Sequence, residues 1–347
     1  MVRYLTMFLM LATGSLLTGC DLIAPKTEQY LLRGQVMGTT YMVKALDARG
    51  KVDKERLYND IKSSLDEATN IFSNWEKESE LSRFNASPST RWQDISDPFS
   101  EVMVEAMRIH HLSDGRFDVT LAPLIDLWGF GPNDDERLPG DLEVNEALKQ
   151  VGQDELLEFR SQNGMQSASL RKRKGTVTIN LSAIAKGYGA DLIARKLESH
   201  GIENFLIEIG GDLLARGMNE RGESWRVGIE KPNIEGGSVQ LVVSVKDMGM
   251  ATSGDYRNFV MKGGKRLSHI LDPRTGRPVD HNLTSVTVLA DSGMRADGLA
   301  TALLVLGEKE GLAVAERENI AAYFITRNED GYQTSSSGAF DRLMAQK

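Results

Sequence analysis

A single cysteine, Cys20, stands in 347 residues, so no disulfide can close within the chain even in an oxidising compartment. Positive charge is also short. The chain has 41 Lys and Arg against 49 Asp and Glu, a net charge of -8. That is the wrong sign for a surface that must neutralise nucleic-acid phosphates, so no nucleic-acid partner is expected. A small phosphate-bearing ligand is still allowed, because a few local cations or a metal can hold one. Beyond Leu17 no second long apolar run follows, and there is no internal repeat or low-complexity tract. There is no Walker loop and no nucleophile elbow. No linker divides the chain after its first thirty or so residues, and 41% hydrophobic with 26% charged residues is ordinary globular composition.

What is present begins with the N-terminus. Arg3 supplies a short positive start, Leu5 to Leu17 is apolar over about half of a membrane span, and Leu17-Thr18-Gly19-Cys20 follows. A charged start, a short apolar core and small residues before a cut site form an export signal. A cysteine just after such a site resembles a bacterial lipobox, whose thiol is lipidated. The expected organisation is a signal peptide over 1–19, a lipidated N-terminus and tether over 20–29, and one domain over 30–347. Asp21 resembles the signal for retention at the inner membrane, which implies a periplasmic location with a lipid anchor at Cys20.

Tyr30 to Leu46 reads as two strands turning at Met37-Gly38-Thr39. Val52 to Trp75 reads as a helix capped by Asp53, with Leu57, Ile61, Leu65 and Ala68 at helical spacing. Asp97-Pro98 opens a helix ending near Gly115, and Pro139 to Val151 a third. Thr176 to Asn180 alternates as a strand. Ser182 to His200 is a helix that Ser182 caps and Gly201 closes. Phe205–Ile209, Trp225–Glu230, Val239–Val245, Leu283–Ala290 and Ile320–Thr326 read as strands. Tyr256 to Leu271 is a hairpin turning at Gly263-Gly264, and Met294 to Leu306 a helix. Strands in runs with helices between them predict an α+β fold of mostly antiparallel sheets with packed helices, in a single domain.

Five stretches exceed what core packing needs, and each has a bland reading beside a functional one. Gly115-Arg116-Phe117-Asp118-Val119-Thr120, running on to Leu127-Trp128-Gly129-Phe130-Gly131, sets glycines beside aromatics, which lets backbone approach a flat ligand; it is equally a glycine-rich turn with a packed Trp. Leu181 to Gly189 opens a helix with Lys186 about one turn inside, where amide N–H groups and the helix dipole favour an anion; a lone helical lysine is more often solvated. Glu208-Ile209-Gly210-Gly211-Asp212 reads first as a tight turn. His269, in Ser268-His269-Ile270-Leu271, sits where a strand meets a turn, yet one histidine is more often structural. Asp297 and Thr301, four apart on one helix face, are hard oxygen ligands that suit Mg²⁺, or else a cap and a back-bonded threonine.

Taken together and in order, Met37-Gly38-Thr39-Thr40-Tyr41, Phe117-Asp118-Val119-Thr120 with Leu127 to Gly131, Leu181 to Gly187, Ala251 to Arg257, Ser268 to Gly276, and Ala296-Asp297 with Thr301 closely resemble the ApbE family of FAD:protein FMN transferases, over roughly Gly34 to Gly307. The resemblance implies a single ApbE-like, T-fold-like domain, FAD as substrate, Mg²⁺ as cofactor, and FMN transfer to a threonine in subunits of sodium-pumping quinone reductase (NQR) or Rnf-type complexes. It implies FAD contacts at Met37, Trp75, Phe117, Asp118, Asn180, Lys186 and Leu271, with Arg116 beside them. Mg²⁺ would be held by Asp297, Thr301 and the Ala183 carbonyl, and His269 matches the histidine that assists catalysis. Asn180 stands where the family usually has aspartate, Arg116 where a small residue is common, and Ala300 where some members carry an acid. An FAD pyrophosphatase and a non-catalytic FAD-binding lipoprotein remain open alternatives.

Overall fold

The computed structural model describes residues 27–131, 137–164, 166–232, 237–256, 259–262 and 265–345. Cys20, the export segment and most of the tether lie outside them, as do Arg257 and the Gly263-Gly264 turn. No helix among the described residues is long and apolar enough to cross a membrane.

Glu28–Val36 and Thr39–Asp47 form the expected hairpin. Its two-residue loop, Met37-Gly38, takes positive φ at both positions, 49° and 72°, the hand that matches the strand twist. Glycine adopts this freely; methionine there is strained. The hairpin opens an eight-stranded sheet that continues through Asn204–Ile209, Asp212–Arg216, Met248–Gly254, Leu283–Ala290, Ala321–Asn328 and Gly331–Ser336. Every neighbouring pair is antiparallel, in agreement with the α+β expectation. Leu283–Ala290 is buried along its whole length because both sheet faces are covered there. Val286, Val288 and Ala290 pack with the helices Asp97–Leu112, Ser182–Ser199 and Gly293–Arg317. Leu289 packs on the other side, with the ribbon Trp225–Glu230/Val239–Val245 and Phe340 of the C-terminal helix.

Several boundaries differ from the sequence reading, each for a local reason. The first helix runs Lys54–Phe72, and Asp53 caps it by accepting from the Glu55 and Arg56 amides at 3.0 and 3.1 Å. In the next long helix the cap is Ser96 rather than Asp97, its hydroxyl accepting from Phe99 N. Ser182 is the first helical residue, not the cap, since no side chain of Leu181 can serve and the Asn180 amide oxygen takes the Ser182 N–H at 2.9 Å. The expected Pro139–Val151 helix is the shorter Asp141–Leu148. The last long helix does not end at Leu306; it breaks at Gly307 (φ 77°) and continues to Arg317. Within the expected Tyr256–Leu271 hairpin the paired strands are the shorter Phe259–Lys262 and Lys265–Ser268.

Thr176–Asn180 is the clearest correction. Val177 and Ile179 are fully buried and keep the alternation, but the segment joins no sheet. Its neighbour is a side chain: Asn85 donates from Nδ2 to the Ile179 carbonyl and accepts at Oδ1 from the Ile179 amide, both at 2.8 Å.

Asn85 is itself braced by Lys172, a lysine with 0% exposure. The Lys172 ammonium donates to the Asn85 and Ser87 carbonyls at 3.0 and 2.8 Å and lies 4.9 Å from the Phe84 ring centre. Burial pushes this amine down from 10.5 to about 8. The folded state therefore loses the proton earlier than the unfolded chain, so the burden of a buried charge is full below pH 8 and is relieved as pH rises towards 10.5. The unfolding free energy of the wild type minus that of Lys172→Met should rise across this window in urea titrations, and a flat difference would refute the assignment.

Candidate active site

Between the sheet and its helices lies a cavity of about 800 Å³, within the range that takes a nucleotide-sized ligand. Apart from Cys20, every residue that the sequence singles out for chemistry lines it: Met37, Trp75, Arg116, Phe117, Asp118, Asn180, Ala183, Lys186, His269, Leu271, Asp297 and Thr301.

Its charged centre is built where two helices nearly touch. A Cβ on Gly187 would sit 2.2 Å from the Gly293 carbonyl oxygen, so only glycine permits the crossing. Asp191 locks that crossing by accepting from the Gly293 and Met294 amides at 2.8 and 2.9 Å, and burial nevertheless pushes its carboxyl up to about 6. The crossing brings Lys186 of one helix to Asp297 of the other, Nζ to Oδ1 at 3.1 Å, while the Gly187 amide donates to Asp297 Oδ2 at 3.0 Å. Ala183, near the start of the same helix as Lys186, also lines the cavity. Thr301 lies one turn beyond Asp297 on the same face.

A third charge completes the cluster. Asp212 Oδ2 lies 2.6 Å from Lys186 Nζ, and its Oδ1 accepts from the Thr252 amide at 3.3 Å. Asp212 is delivered by the Gly210-Gly211 turn, at φ 56° and 96°. A Cβ on Gly210 would also press on Thr39 at 3.0 Å. The stretch is thus the tight turn that the sequence suggests and a wall of the cavity as well. Burial works against the Lys186 charge, but Asp297 and Asp212 outweigh it and hold the ammonium above the usual lysine range. Burial pushes Asp297 up, and Lys186 only partly draws it back.

The remaining walls are less uniform. The Asp118 carboxylate is already engaged, accepting from the Thr120 amide at 2.7 Å, the Thr120 hydroxyl, and the Gln153 amide at 2.9 Å. It caps the short turn Val119–Leu121 and shapes the wall. Arg116 is buried and tied to Glu310 at 3.0 Å. Phe117 offers its carbonyl to His110 Nδ1 at 2.7 Å. Trp75 is 68% exposed, on a loop whose amides at 75 and 76 both bond the Ser73 hydroxyl. The His269 ring meets Phe130 edge-on at 6.3 Å. Asp212 and Thr252 fall within stretches that the sequence marks, without a role assigned to either side chain, and Asn85 escaped the sequence reading altogether. The one available signal was that Asp212 follows paired glycines, a turn able to aim its carboxylate.

Fold and site together define a helix-covered antiparallel-sheet protein with a large cavity lined by an Asp–Lys–Asp cluster whose two carboxylates are buried. The chain belongs to the ApbE family, whose family model matches residues 37–324. It is 41% identical over 336 residues to a protein of Vibrio cholerae named FAD:protein FMN transferase, covering 96% of this chain and 98% of that one. A protein of the same name from Escherichia coli K12 is 36% identical over 343 residues, covering 96% of both. The structure of the flavin transferase ApbE from Vibrio cholerae superposes with a TM-score of 0.83 at 41% identity, covering 91% of this chain and 99% of that one. The apo flavinyl transferase ApbE of Pseudomonas stutzeri gives 0.82 at 37%, covering 92% and 98%.

Proposed function

We propose that this chain is an FAD:protein FMN transferase that moves the FMN half of FAD onto a threonine hydroxyl of a partner protein and releases AMP. The observation that carries the reading is the Lys186–Asp212–Asp297 cluster opening onto a nucleotide-sized cavity, in a chain whose nearly full-length relatives bear that name. The threonine's oxygen attacks the FMN phosphorus; one P–O bond forms, the bond to the AMP phosphate breaks, and AMP departs with its electron pair. His269 takes the hydroxyl proton. Lys186 and the first-turn amides of the Ser182–Ser199 helix set positive potential against the diphosphate. Met37, Trp75, Phe117, Asn180 and Leu271 give the dinucleotide its walls, with Arg116 and Asp118 behind them.

Mg²⁺ fits the donors present. Asp212 and Asp297, both buried, outnumber the single ammonium between them, which leaves room for further positive charge. Among the described residues no three His, Cys, Asp or Glu side chains converge on a metal. A cation would thus be held by mixed hard oxygens: the Asp297 carboxylate, the Thr301 hydroxyl and the Ala183 carbonyl, a set suited to Mg²⁺ rather than zinc. Bound there, it would neutralise charge on the phosphate oxygens. We place the enzyme at the periplasmic face of the inner membrane, anchored by lipid at Cys20, with acceptor subunits of sodium-pumping quinone reductase (NQR) or Rnf-type complexes.

The test mixes the chain lacking its first 20 residues with FAD, Mg²⁺ and acceptor subunits of each complex type. A fluorescent acceptor band on a denaturing gel, lost in EDTA, is the expected result. Free FMN and AMP beside dark acceptor bands would instead mean an FAD pyrophosphatase, and FAD left intact with both acceptors would mean a storage or delivery protein.

A further inference from the structure

We infer that Asn85 is a positioning residue for the cavity: its side-chain amide holds Ile179–Asn180 in place and, through them, the first turn of the helix that presents Ala183 and Lys186. Ile179 is fully buried, so its N–H and C=O must find partners. In a sheet a neighbouring peptide group would supply both; here one carboxamide does, donating and accepting at 2.8 Å. Among side chains of that length, only the carboxamide offers a donor and an acceptor in the same plane without taking up a proton.

The next residue carries the consequence. Asn180 donates its amide to the Val119 carbonyl at 2.7 Å and accepts at Oδ1 from the Ser182 amide at 2.9 Å. The latter bond substitutes for a cap that Leu181 cannot provide. The height of Asn180 thus sets the start of the helix, and Lys186 lies one turn further on. Asn85 can act as a fixed post because its own carbonyl, with that of Ser87, is gripped by the buried Lys172 ammonium. Asn85 itself does not line the cavity.

Two variants test this. Asn85→Ala removes the amide, and Asn85→Asp keeps its size but turns an acceptor towards the Ile179 carbonyl. In the ligand-free protein, both should raise amide hydrogen exchange over residues 179–183 while leaving exchange in the central strand Leu283–Ala290 unchanged. Both should weaken FAD binding about tenfold, and Asn85→Ala should add nothing to Asn180→Ala, since the one acts through the other. Exchange that rises throughout the chain or nowhere, wild-type behaviour in Asn85→Asp, or effects of 85 and 180 that multiply would each overturn the assignment. The substrate measurement rests on the proposed function, whereas the exchange measurement does not. A wild-type protein that fails to bind FAD would therefore sink the function and leave the positioning role to be decided by exchange alone.

Discussion

Replacing Lys186 by Met should reduce FMN transfer by at least about 10²-fold and lower stability near pH 8 by about 3–5 kcal/mol. The two losses share one cause. Lys186 is the ammonium between two buried carboxylates, at 2.6 Å from Asp212 and 3.1 Å from Asp297. Without it both are stranded in a poorly solvated pocket, and a buried unpaired charge is far more costly than an exposed one. The deficit should depend on pH in a definite direction. Burial already raises Asp297 above the usual carboxylate range, and removal of the ammonium raises it further. A carboxyl whose folded pKa exceeds its unfolded one favours folding at low pH, and that help is lost as pH rises through the folded pKa. The variant should therefore be nearly as stable as the wild type near pH 5 and fall behind it towards pH 8, as read by urea unfolding at both values. A deficit that is constant with pH would mean that Asp212 and Asp297 do not depend on Lys186, and the charged centre would lose its proposed logic.

The fold was legible where local pattern and tertiary environment agree. Trp225–Glu230, Val239–Val245 and Leu283–Ala290 appear with the expected bounds because β-branched and aromatic residues fill them. Asp212–Arg216 and Met248–Gly254 were not read as strands. Their short, mixed sequences become strands by pairing with each other and with Asn204–Ile209 and Leu283–Ala290, which is a tertiary effect. At Thr176–Asn180 the alternation was real and the inference false, because burial on one face can be satisfied by a side-chain amide as well as by a strand. The helix beyond Gly307 was missed for a related reason: a glycine at positive φ looks like a stop, yet the chain resumes its helix after the break.

The site was legible in its residue types and spacing but not in its connections. Asp297 and Thr301 could be paired from a four-residue interval, since helix geometry is local. Asp212 could not be joined to Lys186 from sequence, because their 2.6 Å contact depends on how the Gly210-Gly211 turn seats the strand Asp212–Arg216 against the helix Ser182–Ser199. Asp118 shows the opposite case. Its motif marked it for the cavity wall, and only the structure reveals that both its oxygens are engaged by Thr120 and Gln153.

His269→Ala should bind FAD within about threefold of wild type yet label the acceptor about 10²- to 10⁴-fold more slowly, the range that a positioned general base contributes. The prediction separates binding from chemistry because His269 touches the cavity but is not part of its charged centre. Elimination among the histidines supports the assignment. His110 is committed to the Phe117 carbonyl, His200 pairs with Asp60 at 2.8 Å, and His281 bonds the Leu304 carbonyl at 2.9 Å. His111 is exposed and, like those three, does not line the cavity. The carboxylates of Asp212 and Asp297 are poor substitutes, since both already accept from Lys186. If the alanine variant labels its acceptor at the wild-type rate, His269 is a wall residue and the proton must leave by another route. If it loses FAD binding and labelling together, the imidazole belongs to the binding surface. Only tight binding with slow transfer assigns it the proton.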